Sequence, residues 1–161
     1  MALPIISGNK NLMTFKEKIY YHYLQVVNDK VNLLQKTLAD LKESGSNETK
    51  STAGDKHETA LAMLQIEQAN TREQLKEAIA QKVAIEKINP LIVAATVLNG
   101  SLIKTDRGYF YVSIALGKAV IEEIIIIALS PQSPLGSKLM GAKIGDIIEM
   151  NSNRYLIQGI E

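Results

Sequence analysis

The chain has 161 residues, 18 basic and 17 acidic, for a formal charge of +1, with no Cys, no Trp and only two His. That length holds one domain or two small ones. The near-balanced charge argues against nucleic-acid binding over the whole surface, and the composition excludes disulfides, cysteine zinc sites and a thiol nucleophile.

Residues 2–6 are apolar, but Pro4 interrupts them and Ser7-Gly8-Asn9-Lys10 follows at once. They are too short for a secretory signal, and the run Ile124-Ile125-Ile126-Ile127-Ala128-Leu129 falls far below the roughly 20 residues of a membrane helix. The expectation is a soluble, cytoplasmic protein with no membrane segment.

From Thr14 to Glu43 there is no Gly and no Pro. Leu24, Val27, Val31, Leu34, Leu38 and Leu41 step by three and four residues, a heptad seam that asks for a partner helix. Thr14 with Glu17 fits a capping box at the start. A second helical stretch covers about residues 56–88, where Leu61, Leu64, Gln68, Thr71, Leu75, Ala78, Lys82 and Ile85 continue the spacing with a polar middle. Met63, Ile66 and Ile79 lie beside that line and are expected to share the contact. The polar stretch 43–55 between the helices reads as a loop. Two long helices joined by one loop form an antiparallel hairpin, each about 45 Å long.

Pro90 marks the change of texture, because the residue before a proline disfavours helix. Residues 91–98 are β-branched and apolar, and Asn99-Gly100 is a turn signal. Strands are expected over 101–105 and 109–115, with Asp106-Arg107-Gly108 as the turn between them. Residues 120–129 read as one strand, with the four isoleucines buried on both faces. A short helix over 135–140 and a final hairpin around Asn151-Ser152-Asn153 complete about five strands and a helix, an α+β domain. The expected division is a helical hairpin at 1–89, with its tip at about 44–58, and a small domain at 90–161.

Enzyme constellations are missing. Gly136, Gly141 and Gly145 fit neither a Walker loop nor a dinucleotide fingerprint. His22 sits among aromatics on the first helix, His57 near the tip, and no Ser–His–Asp set can be assembled. Asp55 and Glu58 remain, spaced i, i+3 at the start of the second helix. Two carboxylates on one face can help to hold a Mg²⁺ that keeps most of its waters. The same residues suit a helix N-terminus, with Asp55 as cap and Glu58 at N3.

A long helical hairpin, an Asp-x-x-Glu tip and a small C-terminal domain together resemble the bacterial Gre-type transcript cleavage factors. Gly54-Asp55-Lys56-His57-Glu58 is similar to the Gly-Asp-x-x-Glu at that family's hairpin tip. The segment Ser133-Pro134-Leu135-Gly136-Ser137-Lys138-Leu139-Met140-Gly141-Ala142-Lys143-Ile144-Gly145-Asp146 resembles its Ser-Pro-Leu-x-x-x-Leu-x-Gly-x-x-x-Gly-Asp signature, and Tyr155-Leu156-Ile157 its closing strand. The tip sequence looks closer still to a short Gre-like branch of Bacteroidetes-type bacteria. Lys56 and His57 stand where better-known members have Leu-Ser, and the aromatic that usually follows the Glu is replaced by Thr59-Ala60-Leu61.

The resemblance implies a coiled-coil hairpin followed by an FKBP-like α+β domain. It implies a monomer that binds bacterial RNA polymerase, inserts the hairpin into the secondary channel and stimulates cleavage of backtracked RNA. Asp55 and Glu58 would be the catalytic and Mg²⁺-binding pair, active only within the polymerase centre. The protein would be no enzyme by itself, would have no cofactor of its own, and would meet the RNA 3′ end only through the tip, without binding DNA. Two other readings stand beside this one, besides a coiled-coil dimer of purely structural role. One is a non-cleaving polymerase regulator or inhibitor, which Lys56 and His57 favour. The other is a chaperone or prolyl isomerase, which would need an aromatic pocket from Tyr109, Phe110, Tyr111 and Tyr155.

Overall fold

The computed structural model describes residues 12–48 and 54–161; the side chains of Glu48 and of residues 54–57, like all of 1–11 and 49–53, lie outside that description. Two long helices, α1 (Phe15–Glu48) and α2 (Gly54–Glu86), are followed by a six-stranded sheet and one short helix, the α+β architecture expected. The strands are β1 (Leu102–Thr105), β2 (Gly108–Val112), β3 (Gly117–Ile121), β4 (Ile124–Leu129), β5 (Ile147–Met150) and β6 (Asn153–Ile160), with α3 (Pro134–Leu139) between β4 and β5.

The start of α1 follows its sequence signal. Thr14 Oγ1 accepts from the Glu17 amide at 3.1 Å, and the Glu17 carboxylate accepts from the Thr14 amide at 2.6 Å. This reciprocal capping box satisfies two amides that the helix leaves unpaired. The end of α1 differs from the expectation. Residues 44–48 are helical and not loop, and Gly45 lies inside the helix. An added Cβ at Gly45 would stand 3.4 Å from Gln68 Nε2, an ordinary contact distance to the end of a flexible side chain.

Packing divides the chain into two compact units. One holds the described part of residues 1–24 with Ala84–Glu161; the other is Gln25–Val83. The first turns of α1 and the last of α2 pack in the same unit as the sheet.

Within Gln25–Val83 the seam is the one the sequence lays out. Val27, Val31, Thr71 and Ala78 are buried, and Leu34, Leu38, Leu41, Leu61, Leu64, Gln68 and Leu75 are half-buried. Gln68 Nε2 donates to the Leu41 carbonyl at 3.1 Å, and the Thr71 hydroxyl donates to Glu67 O at 2.8 Å, so these polar seam positions are satisfied. Met63, Ile66 and Ile79 do not share the contact: they are exposed, Met63 by 66%. Their heptad positions turn away from the single partner helix.

In the other unit the strand order is β3-β4-β2-β1-β6-β5, all antiparallel except β2 with β4. One core joins Ile103, Phe110, Val112, Leu129, Leu135, Leu139 and Ile157 between the sheet and α3. On the other face Ile19, Tyr23, Ile85, Leu102, Tyr111 and Ile126 are buried. The Tyr23 and Tyr111 rings stack at 6.2 Å, and Phe15 meets Tyr109 edge-on at 5.8 Å.

Two strand expectations are corrected. Residues 91–98 form no strand; only Thr96 makes an isolated bridge, to Lys143. Residues 120–129 are not one strand but the hairpin of β3 and β4, turned at Glu122 and Glu123 with φ of 53° and 66°. Left-handed conformation at both central residues is the mirror turn that suits a twisted two-residue hairpin. The isoleucine run is accordingly not buried on both faces. Ile126 is fully buried, but Ile125 and Ile127 are 50% and 40% exposed, because α3 does not cover that end of the sheet.

Candidate functional site

Asp55 and Glu58 both fall within α2. Three residues apart on one helix, they sit about one turn from each other on a shared side. Glu58 is exposed; the side chains of Asp55, Lys56 and His57 lie outside the description. Asp55 stands within the helical range, which begins at Gly54. His22 is exposed beside the Tyr23 ring, and among the described residues no acid or hydroxyl pairs with it.

Two carboxylates on one solvent-facing helix supply hard oxygen ligands of the kind Mg²⁺ takes, but fewer than an all-protein site needs. Among the described residues no group of three or more His, Asp or Glu could hold a metal ion.

The longer motif, 133–146, is built into the fold at almost every position. Ser133 caps α3: its Oγ accepts from the Gly136 amide at 3.0 Å and donates to Ser130 O at 2.6 Å. Pro134 takes the first helical turn, where its missing N–H costs nothing. Leu135 and Leu139 enter the core. Gly136 tolerates no side chain, because a Cβ there would lie 2.0 Å from the Ser130 carbonyl oxygen. Gly141 and Gly145 have φ of 80° and 96°, a region that favours glycine. Asp146 Oδ2 accepts from the Lys143 amide at 3.0 Å, and its backbone carbonyl accepts from Ile157 N at 2.9 Å. The motif is thus an account of how one corner of the domain closes on β6.

Several buried polar groups escaped the sequence reading. Tyr23 donates its hydroxyl to Gly117 O at 2.8 Å, and burial pushes that hydroxyl up to about 12. Burial likewise raises Tyr111 far above the ordinary tyrosine range, with Tyr20 adding to the effect. The Lys16 ammonium donates to the Ile92 carbonyl; burial lowers its pKa, and the Glu161 charge partly opposes that. A heptad or strand pattern marks such positions only as large residues, so the sequence carried no signal for their bonds. Tyr109, Phe110 and Tyr111 do not form one aromatic pocket. Alternation along β2 sends Phe110 to the α3 face beside Tyr155, while Tyr109 and Tyr111 meet Phe15 and Tyr23 on the other.

No described helix is long and apolar enough to cross a membrane. Comparison with protein families finds no match, and no curated protein matches either. Among solved structures, the chain is similar to the GreA factor homolog 1 (Gfh1) protein of Thermus thermophilus, at 15% identity and a TM-score of 0.32 over 89% of this chain and 93% of that one. A second structure, of the transcription factor Gfh1, aligns at 14% identity and a TM-score of 0.33 over 85% and 92%. Likeness at these values fixes neither the fold nor the activity of this chain.

Proposed function

We propose that this chain is a Gre-type regulator of bacterial RNA polymerase that works in the cytoplasm. Its helix pair enters the polymerase secondary channel and brings Asp55 and Glu58 to the active centre, where they assist cleavage of backtracked RNA. The observation that carries this reading is the Gly-Asp-x-x-Glu at the head of α2, with its two acids a turn apart on a helix over thirty residues long and paired with another. The 133–146 motif and the α+β domain after the helices support the same assignment, because their residues resemble the family's pattern.

In two-metal hydrolysis, Mg²⁺ activates the attacking water and steadies the leaving oxygen. The contribution of this chain is narrower. Glu58, exposed on the helix, offers a carboxylate to a metal already held by the polymerase, and Asp55 offers a second one turn away. The protein then has no turnover of its own and meets RNA only at its 3′ end. A +1 net charge suits a partner that is protein over most of the contact.

A second reading is a polymerase regulator that binds the channel without cleaving. Lys56 and His57, set between the acids, favour it, because cations beside a carboxylate pair weaken its hold on a metal. One experiment separates the two. Stalled, backtracked polymerase is mixed with wild-type protein, Asp55→Asn and Glu58→Gln, and short RNA release is followed along with co-purification. The cleavage reading expects release by wild type, at least about a hundredfold less by either variant, and unchanged polymerase binding. Slowed synthesis with no released RNA assigns the inhibitor reading. Absence of any polymerase association overturns both.

A further inference from the structure

A hollow of about 350 Å³ opens where β2 and β4 begin side by side, and nothing in the proposed transcription role uses it. Its size lies at the lower end of small-ligand sites. Its origin is visible in the register. β2 and β4 run parallel with Phe110 opposite Ile127, so Gly108, two positions earlier, comes level with Ile125. Gly108 contributes no side chain, and a Cβ there would meet nothing within 4 Å. The result is a pit with a backbone floor and apolar walls of Phe110, Ile125 and Ile127, the last two half open to solvent.

Two opposite charges line the same pit. Arg107 is held in place: its Nε donates to Arg154 O at 2.8 Å, and its guanidinium lies 5.9 Å from the centre of the Tyr155 ring. Tyr155 in turn meets Phe110 edge-on at 5.6 Å. That bond uses one of five N–H donors and leaves the outer fork, which matches a carboxylate in shape. Glu123 stands in the left-handed turn just before β4, exposed. Among the described residues neither Arg107 nor Glu123 forms an ion pair, and they do not bridge each other although both line the hollow.

A fixed cation, a separate anion and an apolar pit between strand ends are complementary to one kind of small molecule. We propose that this hollow binds a compact apolar zwitterion, an aliphatic or aromatic amino acid in its free form, with its carboxylate on Arg107, its amine at Glu123 and its side chain over Gly108. The inference is independent of the transcription reading. A simple apolar anion would face Glu123, and a simple apolar amine would face Arg107; the zwitterion meets both charges with opposite ones.

The test uses the full chain and three probes: L-phenylalanine, N-acetylphenylalanine and phenylalaninamide, followed by the amide signals of Gly108, Ile125 and Ile127 in two-dimensional NMR. Phenylalanine is expected to shift those signals, and each single-charge analogue to bind about tenfold more weakly, equivalent to about 1.4 kcal/mol. Arg107→Gln should abolish the preference for phenylalanine over its amide, and Glu123→Gln the preference over the acetylated form. Equal binding of the three probes to wild type overturns the proposal, as does the absence of localised shifts at millimolar phenylalanine. The wild-type series decides alone if either variant loses its fold.

Discussion

The two long helices obey different rules along their own length. In the unit that contains the sheet, Ile19, Tyr23 and Ile85 are fully buried, and each belongs to a surface with several neighbours. Between Gln25 and Val83 each helix has one partner, most of the seam is only half-buried, and apolar residues such as Leu33, Met63 and Ile66 face solvent. A pair of helices covers only one stripe on each, so this region depends on seam contacts and on satisfied polar side chains such as Gln68. The difference teaches where substitution is dangerous. One region is fixed by shape, the other by a repeating pattern that forgives single changes.

Three substitutions test that contrast, beginning with the most disruptive. Gly136→Ala forces a methyl to 2.0 Å from the Ser130 carbonyl oxygen, against backbone that cannot swing aside. It should cost about 3 kcal/mol or more, read by urea denaturation; a loss below about 1 kcal/mol would mean that the α3 corner yields. Tyr23→Phe should cost about 1 kcal/mol near neutral pH, because it leaves Gly117 O without its donor. Its pH dependence carries more information. The wild-type hydroxyl titrates higher in the folded state than in the unfolded one, so its stabilisation is complete below about pH 10 and is lost as pH rises towards about 12. The gap between wild type and Tyr23→Phe should therefore narrow across that window, and a constant gap would contradict the assigned titration.

The smallest effect is expected in the helix pair. Thr71 is buried in the seam with its hydroxyl turned back to Glu67 O. Thr71→Val puts apolar surface where the seam wants it, while the carbonyl keeps its helical donor. It should leave stability unchanged or raise it by up to about 1 kcal/mol in thermal unfolding. A loss instead would show that this region, too, is fixed by shape.

What the sequence disclosed, and what it withheld, follows the range of each interaction. The α1 capping box and both helical seams rest on contacts three or four residues apart, or on a simple repeat, and they were readable down to Thr14, Glu17, Gln68 and Thr71. The Val120-to-Leu129 hairpin was missed because Glu122-Glu123 carries none of the Asn or Gly that usually announces a mirror turn. Residues 91–98 misled in the other direction: they have strand composition, but only Thr96 finds a bridging partner. For the proposed site, Asp55 and Glu58 were legible as a spacing, and their shared helix follows from it. The Arg107 hollow was not legible, since it exists only because β4 lies beside β2, with β3 outside both. No local pattern encodes that order.

The strand order also has a bearing on how the protein is made. β1 lies between β2 and β6, and β6 is the last strand. Leu102 and Glu161 exchange backbone hydrogen bonds, each at 2.9 Å. During synthesis α1 and α2 leave the ribosome early, and their seam can zip on its own. Tyr23 stacks on Tyr111 and donates to Gly117 O, so the apolar surface at this end of α1 stays uncovered until β2 and β3 have followed. Topologies with such distant pairings fold slowly, and exposed apolar surface during the delay invites aggregation. The vulnerable interval is therefore the one between the emergence of the helices and the arrival of the strands that cover their ends.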